Sequence, residues 1–127
     1  FDEYIKKTLH ERLFPKIIQK YQLNHDISDL DTFYVDIGFK DLFFVKYDVY
    51  NQNSLSMHRD GSIISFNILL NNHNDFIGGG TYFKHINKII TINQGQCVIH
   101  SGKLLHSGNA ITNGERYILV GFLDVKF

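Results

Sequence analysis

The 127-residue sequence predicts a mainly β domain, an antiparallel barrel or jelly roll, preceded by one amphipathic helix. From about residue 32 onward, short segments rich in Val, Ile, Phe and Tyr alternate with clusters of Asn, Asp, Gly and Ser, the pattern of strands and turns. No second helical period lies among them, which disfavours a βαβ arrangement. Before that point apolar residues return every four positions, the period of a helix with one buried stripe. Hydrophobic residues make up 43% of the chain and charged residues 20%, so a core can form and disorder is excluded as its general state.

The helix is expected over residues 2–22, where Ile5, Leu9, Leu13, Ile17 and Tyr21 form the stripe. Pro15, the only proline, removes one backbone donor and predicts a kink or a break into two helices near Phe14. Strands are expected at 33–37, 42–50, 63–71, 80–86, 88–93, 96–100 and 115–125. The run Asn71-Asn72-His73-Asn74-Asp75 reads as a turn, because Asn and Asp bond to nearby backbone and tolerate left-handed conformations. A chain of this length builds one domain, 1–127, with residues 1–24 as a helical buttress and 33–127 as the β core.

Thirteen basic and thirteen acidic side chains cancel, so no global field selects nucleic acid or an anionic membrane surface as partner. No apolar run approaches the ~20 residues of a membrane span. The start, Phe1-Asp2-Glu3-Tyr4, carries neither initiator methionine nor signal-peptide pattern, and the sequence reads as a domain excised from a longer chain. Cys97 is the only cysteine, which excludes an internal disulfide and suits a small buried hydrophobe better than a nucleophile.

The candidate chemistry lies in the β region. His58 and Asp60 flank Arg59, and on an extended segment residues two apart project to the same side, so both can reach one ion. His106 follows 46 residues after Asp60 (106 minus 60), on an expected late strand. Two imidazoles and a carboxylate leave about three open positions on an octahedral Fe(II), and zinc could use the same ligands with water as a fourth. Arg116 heads the apolar run Tyr117-Ile118-Leu119-Val120-Gly121-Phe122. A buried guanidinium needs an anion, and its planar fork fits a carboxylate at two points; the other partner would be an internal Asp or Glu. Asn67 shares a strand face with Ser65 and Leu69 and points inward, free to contact a ligand or to orient His58. Gly78-Gly79-Gly80 is followed by neither Lys-Ser/Thr nor a helix, so close backbone approach at a strand explains it better than a phosphate cradle. His10, His25, His73, His85 and His100 have no matched ligand partner and are expected to be solvent-exposed or satisfied in the core.

The segments Phe44-Val45-Lys46-Tyr47, Met57-His58-Arg59-Asp60-Gly61, Phe66-Asn67-Ile68-Leu69-Leu70-Asn71, Asp75-Phe76-Ile77-Gly78-Gly79-Gly80-Thr81-Tyr82-Phe83, Ile99-His100-Ser101-Gly102-Lys103-Leu104-Leu105-His106 and Gly114-Glu115-Arg116-Tyr117 follow in order. Over roughly residues 42–125 the chain resembles the catalytic domain of procollagen lysyl hydroxylases, within the prolyl 4-hydroxylase-like group of Fe(II)- and 2-oxoglutarate-dependent dioxygenases. The resemblance implies a double-stranded β-helix of the jelly-roll, cupin-like kind. It implies Fe(II) on His58, Asp60 and His106, 2-oxoglutarate as cosubstrate anchored by Arg116, and ascorbate beside them. Tyr47 and Thr81 match cosubstrate-pocket positions of the group. Prolyl hydroxylases of the group often carry lysine where this chain has Arg116, and the glycosyltransferase modules of animal lysyl hydroxylases have no counterpart here.

The expected reaction is hydroxylation of a peptidyl side chain, lysine in collagen-like sequence first and proline second, with no protein nucleophile beyond the metal centre. A homodimer is compatible with the resemblance. The compartment follows the substrate: the endoplasmic reticulum lumen for a cellular collagen hydroxylase, the cytoplasm otherwise. Two rivals belong to other classes. A non-catalytic cupin-like module holding a metal or a small acid would not need the buried Arg116, and a zinc hydrolase would need a general base. Glu115 is a poor candidate for that base, since strand alternation turns it away from Arg116.

Overall fold

A computed structural model of the protein describes residues 2–20 and 36–126. Two helices open the chain, α1 (Asp2–Arg12) and α2 (Phe14–Lys20), with Leu13 as the turn between them. The break falls beside the expected Phe14: the ring nitrogen of Pro15 cannot donate, and the Leu13 carbonyl starts the second helix by accepting from Lys16 N and Ile17 N at 3.0 and 3.1 Å. Of the expected stripe Leu9, Leu13 and Ile17 are buried and Ile5 is half-buried, with Phe14 buried beside them; Tyr21 lies outside the described residues, as do His25 and the start of the first expected strand.

The described residues fall into two compact units, one holding the helices with residues 36–38 and 125–126, the other residues 39–124. The second unit is built from two antiparallel sheets, and together they form the double-stranded β-helix. The larger sheet has the order β1 (Asp36–Asp48), β9 (Ile111–Lys126), β3 (Ile64–Leu69), β7 (Cys97–Ser101), with β4 (Phe76–Gly78) on the first residues of β9. The smaller sheet has the order β2 (Leu55–His58), β8 (His106–Gly108), β5 (Thr81–Phe83), β6 (Lys88–Ile90).

β3 is flanked by β9 and β7 and nearly all of it is buried, which is why Ile64-Ser65-Phe66-Asn67-Ile68-Leu69 reads as a run rather than a clean alternation. Leu69 stands directly across from Ile118, and with Tyr47 and Ile111 the pair makes a core cluster against which Val45, Phe76, Ile92 and Val120 pack. Two of the expected strands, 33–37 and 42–50, join into one as far as they are described: β1 runs unbroken from Asp36 through Asp48 despite Gly38, Lys40 and Asp41. The strands β2 and β4 stand where no strand was delimited, and β8 is the late strand expected to carry His106. Each is three or four residues long and owes its conformation to its neighbour in the ladder more than to its own composition.

Candidate metal site and the cavity beside it

β2 ends at His58 and β8 begins at His106, and the two histidines are direct partners across the ladder. Their rings lie 4.4 Å apart between centroids. Asp60 sits just past the strand end, where its backbone N–H donates to the Gly102 carbonyl at 2.8 Å. Asp60 Oδ1 lies 3.3 Å from His58 Nε2 and 3.4 Å from His106 Nε2, and one ligand atom from each of the three lies within 4.8 Å of the others. The sequence motif is therefore assembled in space, with Arg59 turned out to solvent between the two ligands.

The ring orientations are fixed from behind. His58 Nδ1 faces the Ser56 carbonyl at 2.6 Å and His106 Nδ1 faces the Leu104 carbonyl at 2.8 Å. A carbonyl only accepts, so each Nδ1 carries a proton and each Nε2 is aimed at the shared point with its lone pair available to a metal. Bonds of ~2.1 Å would separate two donors by about 3.0 Å at right angles and about 3.4 Å at the tetrahedral angle, so the spacing suits either geometry. Burial alone would raise the Asp60 carboxyl pKa, but hydrogen bonds from His106 and Ser65 outweigh it and hold the value below the ordinary carboxylate range. Burial likewise pulls His106 down, and its bonds to Asp60 and the Leu104 carbonyl more than offset that, leaving it raised.

Beside the triad a cavity of about 80 Å³ opens between the two sheets, and Arg116, Tyr47, Asn67 and Thr81 all line it. Arg116 is 3% exposed, its guanidinium carbon 5.0 Å from the centre of the Tyr47 ring. Burial pushes its pKa down, with Tyr47 acting in the opposite direction; no carboxylate compensates it among the described residues. Among the described residues its Nη1 has no hydrogen-bond partner, and neither has Asn67 Oδ1. Asn67 reaches Thr81 Oγ1 at 3.4 Å, while His58 is oriented by the Ser56 carbonyl instead. Glu115 faces out and accepts from the Tyr117 hydroxyl at 2.7 Å. A buried donor without a partner is costly unless an acceptor meets it, and the carboxylate of a small dicarboxylic acid would meet Arg116 Nη1; Asn67 Oδ1, an acceptor, needs a donor instead.

The glycine triplet accounts for how close Arg116 lies to the backbone. Gly78, Gly79 and Gly80 have φ of 88°, 78° and 90°, values that disfavour any side chain. A Cβ on Gly79 would stand 3.1 Å from Arg116 Cδ, and one on Gly78 2.6 Å from the Ala110 carbonyl oxygen. His100 and Ser65 were not singled out as site residues in the sequence, yet they are cross-strand partners that both line the cavity. Ser65 is 1% exposed and bonded to the Ser62 hydroxyl at 2.6 Å. His100 packs its ring 4.6 Å from that of His106 with Nδ1 on the Ser101 carbonyl, and burial lowers its pKa. His10, His73 and His85 are exposed.

A family model described as the 2OG-Fe(II) oxygenase superfamily matches residues 39–125. Procollagen-lysine,2-oxoglutarate 5-dioxygenase 2 of Homo sapiens is 44% identical over 86 residues, 65% of this chain and 12% of the relative. Procollagen-lysine,2-oxoglutarate 5-dioxygenase 1 of Rattus norvegicus is 32% identical over 127 residues, 97% of this chain and 17% of the relative. The chain thus spans less than a fifth of the length of either protein. Among solved structures, a truncated viral collagen prolyl hydroxylase from Paramecium bursaria Chlorella virus-1 superposes with a TM-score of 0.58 at 18% identity, over 85% of this chain and 65% of the other, which bears on the fold alone. With the double-stranded β-helix in place and the family match covering most of the chain, this protein belongs to the 2OG-Fe(II) oxygenase superfamily.

Proposed function

We propose that the chain is the oxygenase domain of a peptidyl hydroxylase acting on collagen-like sequence, with lysine as the side chain modified. His58, Asp60 and His106 are the iron ligands and Arg116 anchors the distal carboxylate of 2-oxoglutarate. The observation that carries this reading is the buried, unpartnered Nη1 of Arg116 in the same cavity as the triad. A stabilising metal site has no use for such a cation, whereas a dicarboxylate that chelates at one end requires one at the other.

Iron with 2-oxoglutarate, when bound, supplies the oxidising power that places one atom of dioxygen into a C–H bond and releases succinate and carbon dioxide. The protein's own part is geometric. The Ser56 and Leu104 carbonyls hold the two imidazoles in one tautomer, and the hydrogen bonds on Asp60 keep it ionised. Tyr47 walls the guanidinium on one face; Asn67 and Thr81 present polar atoms to the cosubstrate between the two ends of the cavity. His58 is the most open ligand, its side chain 32% exposed against 8% for His106, so the substrate side chain approaches over His58.

Lysine is favoured over proline by the higher identity to procollagen-lysine dioxygenases, together with an arginine rather than a lysine at position 116. The test is succinate formation by the iron-loaded protein given 2-oxoglutarate, oxygen and collagen-like peptides bearing lysine or proline. Peptide-stimulated succinate with one oxygen added to the lysine peptide is the expected result. Oxygen on proline alone would reassign the substrate, and no turnover with either peptide despite bound iron and cosubstrate would remove the hydroxylase reading.

A further inference from the structure

Asn71 follows the end of β3, in a segment whose Asn and Asp content reads as a local turn. Its neighbour Asn72 does act locally, capping Asn74 N at 2.8 Å. Asn71 instead bonds across the sheet: its Nδ2 donates to the Glu115 carbonyl at 2.8 Å and its Oδ1 accepts from Tyr117 N at 3.0 Å. These are the two backbone groups on either side of Arg116. The last backbone bond of this ladder is Leu70 N to the Tyr117 carbonyl at 2.9 Å, after which the side-chain amide of Asn71 takes the place of a further residue of β3. Because the carbonyl can only accept and the N–H can only donate, the amide has one orientation. Asn71 Nδ2 also lies 3.3 Å from Asp75 Oδ2, which fixes it from the far side.

What Arg116 does at that point is separate two spaces. It lines the cavity beside the triad, and it also lines a second cavity of about 270 Å³ behind it, walled by Phe76, Gly78, Gly80, Ile92 and Asn93. The second cavity is the larger of the two, and among the described residues no acidic side chain lines it. The Arg116 stem is laid on Gly79, and Asn71 ties the backbone on either side of it, at the point where both cavities meet the same side chain.

We propose that Asn71 is a positioning residue that sets the chain length of the 2-oxo acid, by holding Arg116 as the partition between the two cavities; this rests on the reading of Arg116 as the carboxylate anchor. A 2-oxo acid one methylene longer than 2-oxoglutarate extends roughly 1.3 Å further, the advance of one carbon in a chain of ~1.5 Å bonds. With Arg116 fixed, that carboxylate meets the guanidinium too early. With Arg116 released toward the second cavity, it fits.

The experiment is calorimetric binding of 2-oxoglutarate and 2-oxoadipate to the Mn(II)-loaded protein, native and as Asn71→Asp and Asn71→Ala. Asp keeps the shape of the amide but cannot donate to the Glu115 carbonyl, and Ala removes both bonds. The native protein is expected to prefer 2-oxoglutarate by at least about tenfold, the lower end of what one methylene is worth in a fitted pocket. Both variants are expected to lose most of that preference, with Mn(II) affinity unchanged. Equal weakening of both acids, as a merely structural role would give, overturns the proposal. So does a native protein that binds the two acids alike, a result that needs no variant to fold. Arg116→Met separates the two layers of inference. If it retains native 2-oxoglutarate affinity, the anchor reading itself fails; if affinity is lost while the Asn71 variants keep native selectivity, only the role of Asn71 fails.

Discussion

The two ends of the cavity are built on opposite principles. At the metal end the ligand geometry is held without any guest: both imidazole Nδ1 atoms donate to backbone carbonyls, and both Nε2 atoms converge on Asp60 Oδ1. At the arginine end, 3% exposed and without a facing carboxylate among the described residues, Nη1 of Arg116 is left unpartnered, and so is Oδ1 of Asn67. The metal end thus has its ligand geometry set before binding, whereas at the other end the guanidinium is left for an anion to meet. A protein arranged this way holds its ligand geometry before binding and takes its cosubstrate affinity from relieving a buried charge.

The largest effect tests the first half of that contrast. Asp60→Ala removes the one group that both histidines face, and it is expected to abolish iron binding and with it peptide-stimulated turnover, measured by metal content after gel filtration and by succinate release. Retained iron with native stoichiometry would mean that the ligands have been misassigned. Next in size, Arg116→Ala is expected to weaken 2-oxoglutarate by about 10- to 100-fold, the value of charge-assisted hydrogen bonds, while iron affinity stays as it was. A parallel loss of both would erase the distinction between the two ends.

A third change sharpens the same contrast through stability. Arg116→Met keeps an unbranched stem against Gly79 and Tyr47 but removes the uncompensated charge. Replacing even a buried ion pair by apolar side chains of similar volume is often neutral or stabilising by ~1–4 kcal/mol, and an uncompensated charge lacks the attraction that offsets desolvation in a pair. The ligand-free variant is expected to melt at a higher temperature than the native protein and to gain nothing from added 2-oxoglutarate. A lower melting temperature would show that the guanidinium is already satisfied.

The same division separates what was legible in the sequence from what was not. His58, Asp60, His106 and Arg116 could be singled out because few residue types do their chemistry, and the long strands β3 and β9 because their own composition is apolar and β-branched. In the smaller sheet β5 and β6 lie within expected strands, but the extents of the two short ligand-bearing strands were not legible. Leu55-Ser56-Met57-His58 and His106-Ser107-Gly108 carry little intrinsic strand preference and are extended because they pair with each other. Asn71 was hidden for a related reason: Asn bonds locally in most turns, and only the tertiary structure brings β9 within reach, 44 and 46 residues away in sequence. The unpartnered atoms of Asn67 and Arg116 are likewise facts about neighbours, which no single residue's identity announces.

The smallest effect concerns pH, and it distinguishes the metal end from the arginine end because only the former titrates in an accessible range. His106 has its pKa raised in the folded protein, burial working against the stronger pull of Asp60 and the Leu104 carbonyl, so the proton it holds stabilises the fold below the ordinary histidine value of 6.5. That contribution is lost as pH climbs through the raised folded value. Asp60, lowered from 3.8, contributes above that ordinary value and loses its contribution as pH falls through the depressed one. His100, its pKa lowered by burial, acts in the opposite direction; with that opposing group removed by His100→Asn, the metal-free protein should melt a few degrees lower at pH 8.5 than at pH 6, in buffers of matched ionic strength, a size set by the loss of one partly buried ion pair. A bound divalent ion takes the place of that proton, so with Mn(II) the sign reverses, since acid now competes with the metal for Nε2 of His106. Arg116→Met should leave both slopes intact, because among the described residues no carboxylate or histidine is coupled to the guanidinium. Were the slopes to change with that substitution, the two ends of the cavity would be one electrostatic unit, and the separation of metal affinity from cosubstrate affinity argued above would not hold.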